Sequence, residues 1–393
     1  MKFDYHQKKF ILNVLKQCDD VDLDFFSDCT NLKKTTIFFK KYNLENYLDK
    51  YEKYRNFDVS SRNQDIEYKK KRQKVHVLNT LKASRDIVSH FSKKGINYTV
   101  LKGAALFFHS IQDPTLKKMR DIDVLIDEKD VSESLKILSR LNFKSKHGRL
   151  EKLEWIGSSR YHLPIIFNDE GVCIDIHTRI SEKVYENRCK MAQIFLEDSK
   201  MIHLRGTEIS MLSFEDLILH ILFHSTKKHG FDNGPLFLID ILKIMLLKEV
   251  DQNKLFDKAK IYNLEKELYL SFAVLQKYFN FRTLKIDGIK FDDLIEDFEN
   301  IIFYNHAEKR VHQFFEKGIL KTFFDVFSPK KISSEFNLPI TFMNYPYFLL
   351  IRLIRQIGVV MPSLIKVLFL KNYYNHHLRL IDFKERLKNA KFN

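Results

Sequence analysis

Two acids two residues apart, Asp121 and Asp123, lie in the run Arg120-Asp121-Ile122-Asp123-Val124-Leu125-Ile126. Side chains alternate across a β-strand, so in a strand both acids share one face while Ile122, Val124 and Ile126 enter a core on the other. Two carboxylates held together repel unless positive charge sits between them. A divalent cation meets that need, and hard oxygen donors favour Mg²⁺. Upstream, the β-branched run Ile96-Asn97-Tyr98-Thr99-Val100-Leu101 reaches Lys102-Gly103-Ala104, where the chain is expected to turn at Gly103 into a short helix. A glycine at such a place lets backbone N–H groups approach an anion at a helix N-terminus. A phosphate cradle beside metal-binding acids points to phosphoryl or nucleotidyl chemistry.

These residues need a sheet to hold them. The two runs read as strands flanking a helix over residues 104–110. Asp130 with Glu133 reads as the start of a further helix with Leu135, Leu138 and Leu141 on one face. Residues 160–167 and 172–177, joined by Asn168-Asp169-Glu170-Gly171, read as a β-hairpin. Pro164 suggests that the first of its strands is an edge. In the second strand Cys173, Asp175, His177 and Arg179 share one face and Val172, Ile174 and Ile176 the other.

Helical patterns flank this unit. Phe10, Ile11, Val14 and Leu15 follow helical spacing, and a longer pattern runs from Val75 to Phe91. The run Lys69-Lys70-Lys71-Arg72 at its start is either a solvated helix face or an RNA contact. After residue 205 the pattern is helical throughout. Ser213 with Asp216 resembles a capping box. Leu236 to Leu247 is apolar almost all round and is expected to be buried, with Asp240 in its middle. A lone buried carboxylate needs a partner. His224 or His229 is the expected one, with a zinc site or direct substrate binding as the competing readings. His220 and His224 share a helix face.

At 393 residues the chain suggests two or three packed units. Hydrophobic residues at 45% and aromatics at 13% suffice for globular cores, while only 11 Gly and 7 Pro favour helix. A formal charge of +15 suits RNA, a nucleotide or another polyanion, though it also suits a lysine-rich solvated surface. Cys18, Cys29, Cys173 and Cys189 show no metal spacing and imply no disulfide framework. The opening Met1-Lys2-Phe3-Asp4 carries no secretory pattern, so a reducing cytoplasm is expected. Phe336 to Ile351 is uncharged but broken by Pro339 and Pro346, too short for a membrane span. The basic stretch from Arg352 to Lys371 could lie against anionic lipid or RNA, but core on one side and solvent on the other is the favoured reading.

The ordered set LKGAAL, RDIDVLI, HLPIIF with VCIDIH, and DLILHILFH with KH and LFLIDI resembles the bacterial group called uncharacterised nucleotidyltransferases, within the DNA polymerase beta-like superfamily. The likeness covers Val75 to Leu247. It implies an α+β fold: a small mixed sheet flanked by helices, with a largely α-helical C-terminal region. The expected parts are an N-terminal helical region 1–72, a nucleotidyltransferase core 73–204 and a helical domain 205–393. By this resemblance Asp121, Asp123 and Asp175 are the catalytic and metal-binding acids. Two Mg²⁺ ions would be held about 3.5–4 Å apart, as in two-metal sites generally. Lys102, Gly103, Ala104 and Arg120 fall on the nucleotide side, where Lys102 or Arg120 either neutralises phosphate charge or faces solvent. The superfamily commonly follows this glycine with Gly or Ser; Ala104 removes a hydroxyl and leaves backbone donors to bind phosphate. His177 is a candidate for ordering the site or the acceptor. The implied reaction moves a nucleoside monophosphate from an NTP such as ATP to an acceptor hydroxyl and releases pyrophosphate. The acceptor is a small molecule, tRNA or protein. The alternative is a catalytically silent nucleotide- or RNA-binding module that keeps the fold.

Overall fold

The computed structural model describes residues 3–16, 35–40, 44–48, 63–111, 113, 116–117, 119–145, 150, 163–181, 190–204, 206–231, 234–279, 292–303, 328–329, 345–354 and 371–390. Helix α1 (Tyr5–Lys16) buries Phe10, Ile11, Val14 and Leu15 on the expected spacing. Helix α2 (Asn63–Lys93) buries Val77, Ile87, Val88 and Phe91, but Val75 and Leu78 are exposed, so the expected apolar stripe is buried only in its second half. The helix ends at Gly95, whose φ of +67° costs a residue without Cβ little. There the Ile96 N–H reaches the Phe91 carbonyl at 3.1 Å and hands the chain to β1 (Tyr98–Val100). The buried Tyr98 hydroxyl accepts the Ser210 N–H at 3.2 Å and pairs with Ser92 Oγ at 2.9 Å, fixing β1 to the elements on both sides.

The α+β expectation holds. After β1 come α3 (Lys102–Phe108), β2 (Ile122–Ile126), α4 (Val131–Arg140), β3 (Lys144–Ser145), β4 (Ile166–Phe167), β5 (Cys173–His177), α5 (Met191–Glu197), β6 (Lys200–Leu204) and β7 (Thr207–Met211). Among the described residues they form one mixed seven-stranded sheet in the order β3-β4-β5-β2-β1-β7-β6. Strands β2 and β5 are parallel neighbours at its centre, and β2 is buried along its whole length. Across three strands Ile166, Ile174 and Ile122 lie in register, each at 0% exposure. Each such side chain contributes about 1.5–3 kcal/mol of burial, which fixes the register of the strands that carry the acids.

One local expectation is corrected: Pro164 lies just before β4, and β4 has β3 beyond it, so the edge strand is β3. Asp130 stands at the start of α4 as expected, and its carboxylate accepts the Asn97 N–H at 3.0 Å. The hairpin forms as expected, with β4 antiparallel to β5. Residues 160–162 of its expected first strand, Cys18, Cys29 and Cys189, and most of the 352–371 stretch lie outside the described residues.

Helices follow the sheet. Ser213 Oγ accepts the Asp216 N–H at 3.2 Å and donates to Asp216 Oδ2 at 2.7 Å, starting α6 (Phe214–Phe223) as the capping pattern required. A π-helical segment, His224–Lys228, continues it. Then come α7 (Leu236–Leu247), α8 (Gln252–Ile261) and α9 (Glu265–Phe279). Helix α6 packs against α3, α7 and α8, which brings the helical part of the chain beside the turn at residue 102.

By contact the chain divides into units Met1–Ile286 and Asp287–Asn393, and the boundaries expected near residues 72 and 204 fall inside the first. In the second unit α10 (Asp292–Phe303) packs on α11 (Lys371–Asn389) through Phe298 and Phe383 and an Arg386–Asp297 ion pair. No helix among the described residues is long and apolar enough to cross a membrane.

Candidate active site

The register of β2 on β5 sets Asp123 beside Asp175 and Leu125 beside His177. Alternation then puts Asp123, Asp175 and His177 on one face. Ligand atoms from these three residues lie within 4.8 Å of one another. His177 Nε2 is 3.0 Å from Asp123 Oδ1 and 3.4 Å from Asp175 Oδ2. Asp123 is buried and Asp175 half-buried, so the cluster is closed at one acid and open at the other.

Lys102 completes it. Its Nζ donates to Asp123 Oδ1 at 2.6 Å. Just before it, the Leu101 N–H donates to the Asp123 carbonyl at 2.9 Å. Lys102 then turns at φ +41°, a left-handed conformation that costs a residue with a Cβ about 1 kcal/mol or more. The tether and the turn together carry the ammonium back over the strand. The turn therefore falls on Lys102, one residue before the glycine where it was expected. Gly103 sits inside α3, where an added Cβ would meet Met119 Cγ at 3.9 Å, an ordinary contact. Ala104 is buried, while Arg120 and Asp121 lie at the exposed approach to β2.

Charge balances within this group. Burial works to raise the Asp123 pKa, but Lys102 and His177 override it and hold the carboxyl well below its usual range. Burial works to lower that of His177, yet hydrogen bonds to Asp123 and Asp175 raise it overall. Desolvation and the Asp123 charge push Asp121 up, in spite of its position at the rim. Desolvation is outweighed by Asp123 at Lys102, whose pKa is raised. Two carboxylates and an imidazole converging on one point form a donor set that fits a divalent cation, and the ammonium on Asp123 shows that this position attracts positive charge.

A pH dependence follows for the metal-free protein. The folded pKa of His177 is raised above its ordinary 6.5, so its pairing stabilises the fold fully below about pH 6.5 and fades as pH rises through the folded value. Asp123 acts in the other direction: its contribution is present above an ordinary 3.8 and is lost on acidification. In chelator-containing buffer the melting temperature of the wild type is expected to fall between pH 6 and 8 relative to His177→Asn. Parallel melting curves for the two proteins would contradict this.

The expected histidine partner of Asp240 is corrected. Asp240 is buried in α7 as foreseen, but Lys117, from the segment joining α3 to β2, holds its Oδ2 at 2.5 Å. An ammonium neutralises a buried carboxylate, whereas burial and the nearby Lys102 push the His224 pKa down. His224 and His229 instead face each other, Nε2 to Nε2, at 3.0 Å. The three-ligand grouping found among the described residues does not include them. Sequence reasoning missed Lys117, which no spacing ties to Asp240. It noted His220 only as a neighbour of His224, yet this buried ring feels the charges of Lys102, Asp123 and His177.

Comparison with known proteins adds to this geometry. A family profile described as "Uncharacterised nucleotidyltransferase" matches residues 54–280 of the 393. No curated protein matches the chain. Among solved structures the chain is similar to an antigenic nucleotidyltransferase-like protein from Paracoccidioides brasiliensis, at 16% identity over 51% of this chain and 88% of that one, with a TM-score of 0.36.

Proposed function

Because the chain belongs to the uncharacterised nucleotidyltransferase family, whose profile spans more than half of it, we propose that it moves a nucleoside monophosphate from an NTP to an acceptor hydroxyl and releases pyrophosphate. The observation that carries this reading is the in-register meeting of Asp123 and Asp175 on adjacent strands, with His177 and Lys102 on the same acids. Asp121, Asp123 and Asp175 would hold Mg²⁺. When bound, such an ion polarises the phosphate and favours the ionised acceptor.

The chain's own groups do the rest. Asp175, at the open side, takes the proton of the acceptor hydroxyl. The acceptor oxygen bonds to the α-phosphorus, the α–β bridging bond breaks, and its electron pair leaves with pyrophosphate. His177 keeps Asp175 and Asp123 oriented through its two contacts. Lys102, whose ammonium lies on Asp123, is the cation placed to neutralise phosphate charge beside that acid. Backbone N–H groups at Gly103 and Ala104 approach the phosphates, and Arg120 lies at the exposed approach.

Gly103→Ala separates binding from folding. The backbone there is helical and the new Cβ has room, so stability is expected to be unchanged or to rise by about 0.4–1 kcal/mol. Nucleotide affinity is expected to fall if phosphate approaches the backbone N–H groups there as closely as a glycine allows. Urea denaturation and nucleotide titration check the two halves; unchanged nucleotide affinity would remove Gly103 from the site.

The experiment that tests the proposal is incubation of the protein with each labelled NTP, Mg²⁺ and cell extract. Label is expected in a small-molecule, RNA or protein fraction, and the fraction identifies the acceptor class. No transfer from any NTP would contradict it.

A further inference from the structure

The first half of α2 carries charge that the fold does not use. Residues 68–85 hold five lysines, two arginines and no Asp or Glu, a net +7 out of the chain's +15. The helix packs on β7, α4 and α3, and Val77, Ser84, Ile87, Val88 and Phe91 are its buried side. On the opposite side Lys71, Arg72, Lys74 and Lys82 are exposed, and no carboxylate pairs with them among the described residues. Between them stand Tyr68, 60% exposed, and Val75, 57% exposed. The Arg72 guanidinium lies over the Tyr68 ring, 5.9 Å from its centroid.

A solvated helix face gains stability when acids stand three or four residues from its lysines. Here like charges stand at those spacings and repel. A polyanion laid along the face relieves that repulsion and releases its own counterions. Two features choose the polyanion. A helix lying on a membrane needs a continuous apolar face, but the apolar face of α2 is buried in the protein, and Val75 stands among cations. The exposed Tyr68 ring offers a platform for a base, and bases free to stack on a side chain come from single strands. Eighteen helical residues extend about 27 Å, enough to run beside several phosphates.

We propose that Tyr68, Lys71, Arg72, Lys74 and Lys82 on the exposed face of α2 dock a single-stranded segment of RNA. The cations follow its phosphates and the phenol ring stacks on one base. The docking needs neither nucleotide nor metal, so it is independent of the nucleotidyl-transfer reading.

The test is fluorescence anisotropy of the full chain with a labelled single-stranded RNA of mixed sequence, in chelator, without nucleotide, over a range of salt. The wild type is expected to bind, with affinity falling as salt rises. Lys71→Ala, Arg72→Ala and Lys74→Ala together are expected to weaken binding about tenfold or more. They are also expected to make the log–log salt slope shallower by about 2, since each phosphate contact on a single strand contributes about 0.7. Tyr68→Ala is expected to weaken binding about fivefold or more at unchanged slope, and Tyr68→Phe to keep it. A control with the same change of charge, Lys129→Ala, Lys200→Ala and Lys260→Ala at exposed positions elsewhere, is expected to stay within about twofold of wild type. All these residues are exposed, so the melting curves are expected to match. No RNA binding by the wild type, wild-type affinity in the α2 triple variant or in Tyr68→Ala, or an equal loss in the control overturns the proposal. So does tighter binding of duplex DNA or of phosphatidylserine vesicles than of the strand. With nucleotide and Mg²⁺ absent throughout, any of these results leaves the transfer reading standing.

Discussion

Asp123→Asn is expected to slow nucleotidyl transfer by about 10³- to 10⁴-fold, the several kcal/mol that a metal-holding carboxylate contributes at the transition state. Asp123 is where the site's charges meet: it accepts Lys102 at 2.6 Å and His177 at 3.0 Å and lies in register with Asp175. An amide of the same size keeps the packing of β2 but cannot balance Lys102, His177 or a divalent ion. It also leaves a nearly buried ammonium without its carboxylate, so the variant is expected to be less stable by about 3–5 kcal/mol. Rates must therefore be taken well below its melting temperature. A folded Asp123→Asn protein with rates within tenfold of wild type would remove this acid from the chemistry.

The largest effect on stability alone is expected away from the site. Asp216 is fully buried and accepts Lys258 at 2.5 Å, Ser213 at 2.7 Å and Tyr262 at 3.3 Å. Lys258 is itself buried and also reaches Asp198 at 2.6 Å. Asp216→Ala strands that ammonium and removes the tie between α6 and α8, at a cost of about 3–5 kcal/mol; the remaining Asp198 contact places it toward the lower end. Burial raises the Asp216 pKa in spite of Lys258, so desolvation outweighs the pairing. Replacing both partners is then expected to cost less than replacing one. Urea denaturation of Asp216→Ala, Lys258→Met and the double variant measures this. Additive losses would show that the two groups do not act as a pair.

Short-range patterns in the chain were enough for much of the site's scaffold. Two-residue alternation put Asp175 with His177 on one face; Asp121, expected to share the face of Asp123, lies just before β2 and outside the three-ligand grouping. The structure adds the parallel pairing that aligns Asp123 with Asp175. The cap at Ser213 and the buried helix around Asp240 followed from local chemistry in the same way. The resemblance from Val75 to Leu247 lies inside the matched range 54–280.

What could not be read depends on contacts between distant residues. Nothing near Asp240 in sequence points to Lys117, 123 positions earlier. The carboxylate of Asp130 stands at a helix start, yet it accepts the N–H of Asn97, 33 residues earlier, across the joined β1 and β2. The left-handed turn at Lys102 is set by the Leu101 tether to Asp123 and by the pull of the carboxylate on the ammonium. Gly103, one residue on, marked the place but not the conformation.

Parallel reactions with NTP labelled at the α- or the γ-phosphorus test the central claim most directly. Nucleotidyl transfer requires the α-label to join the acceptor while the γ-label appears in pyrophosphate, one for one, with both absent for Asp123→Asn. Transfer of the γ-label to the acceptor, or NTP consumption that Asp123→Asn leaves intact, would contradict the account.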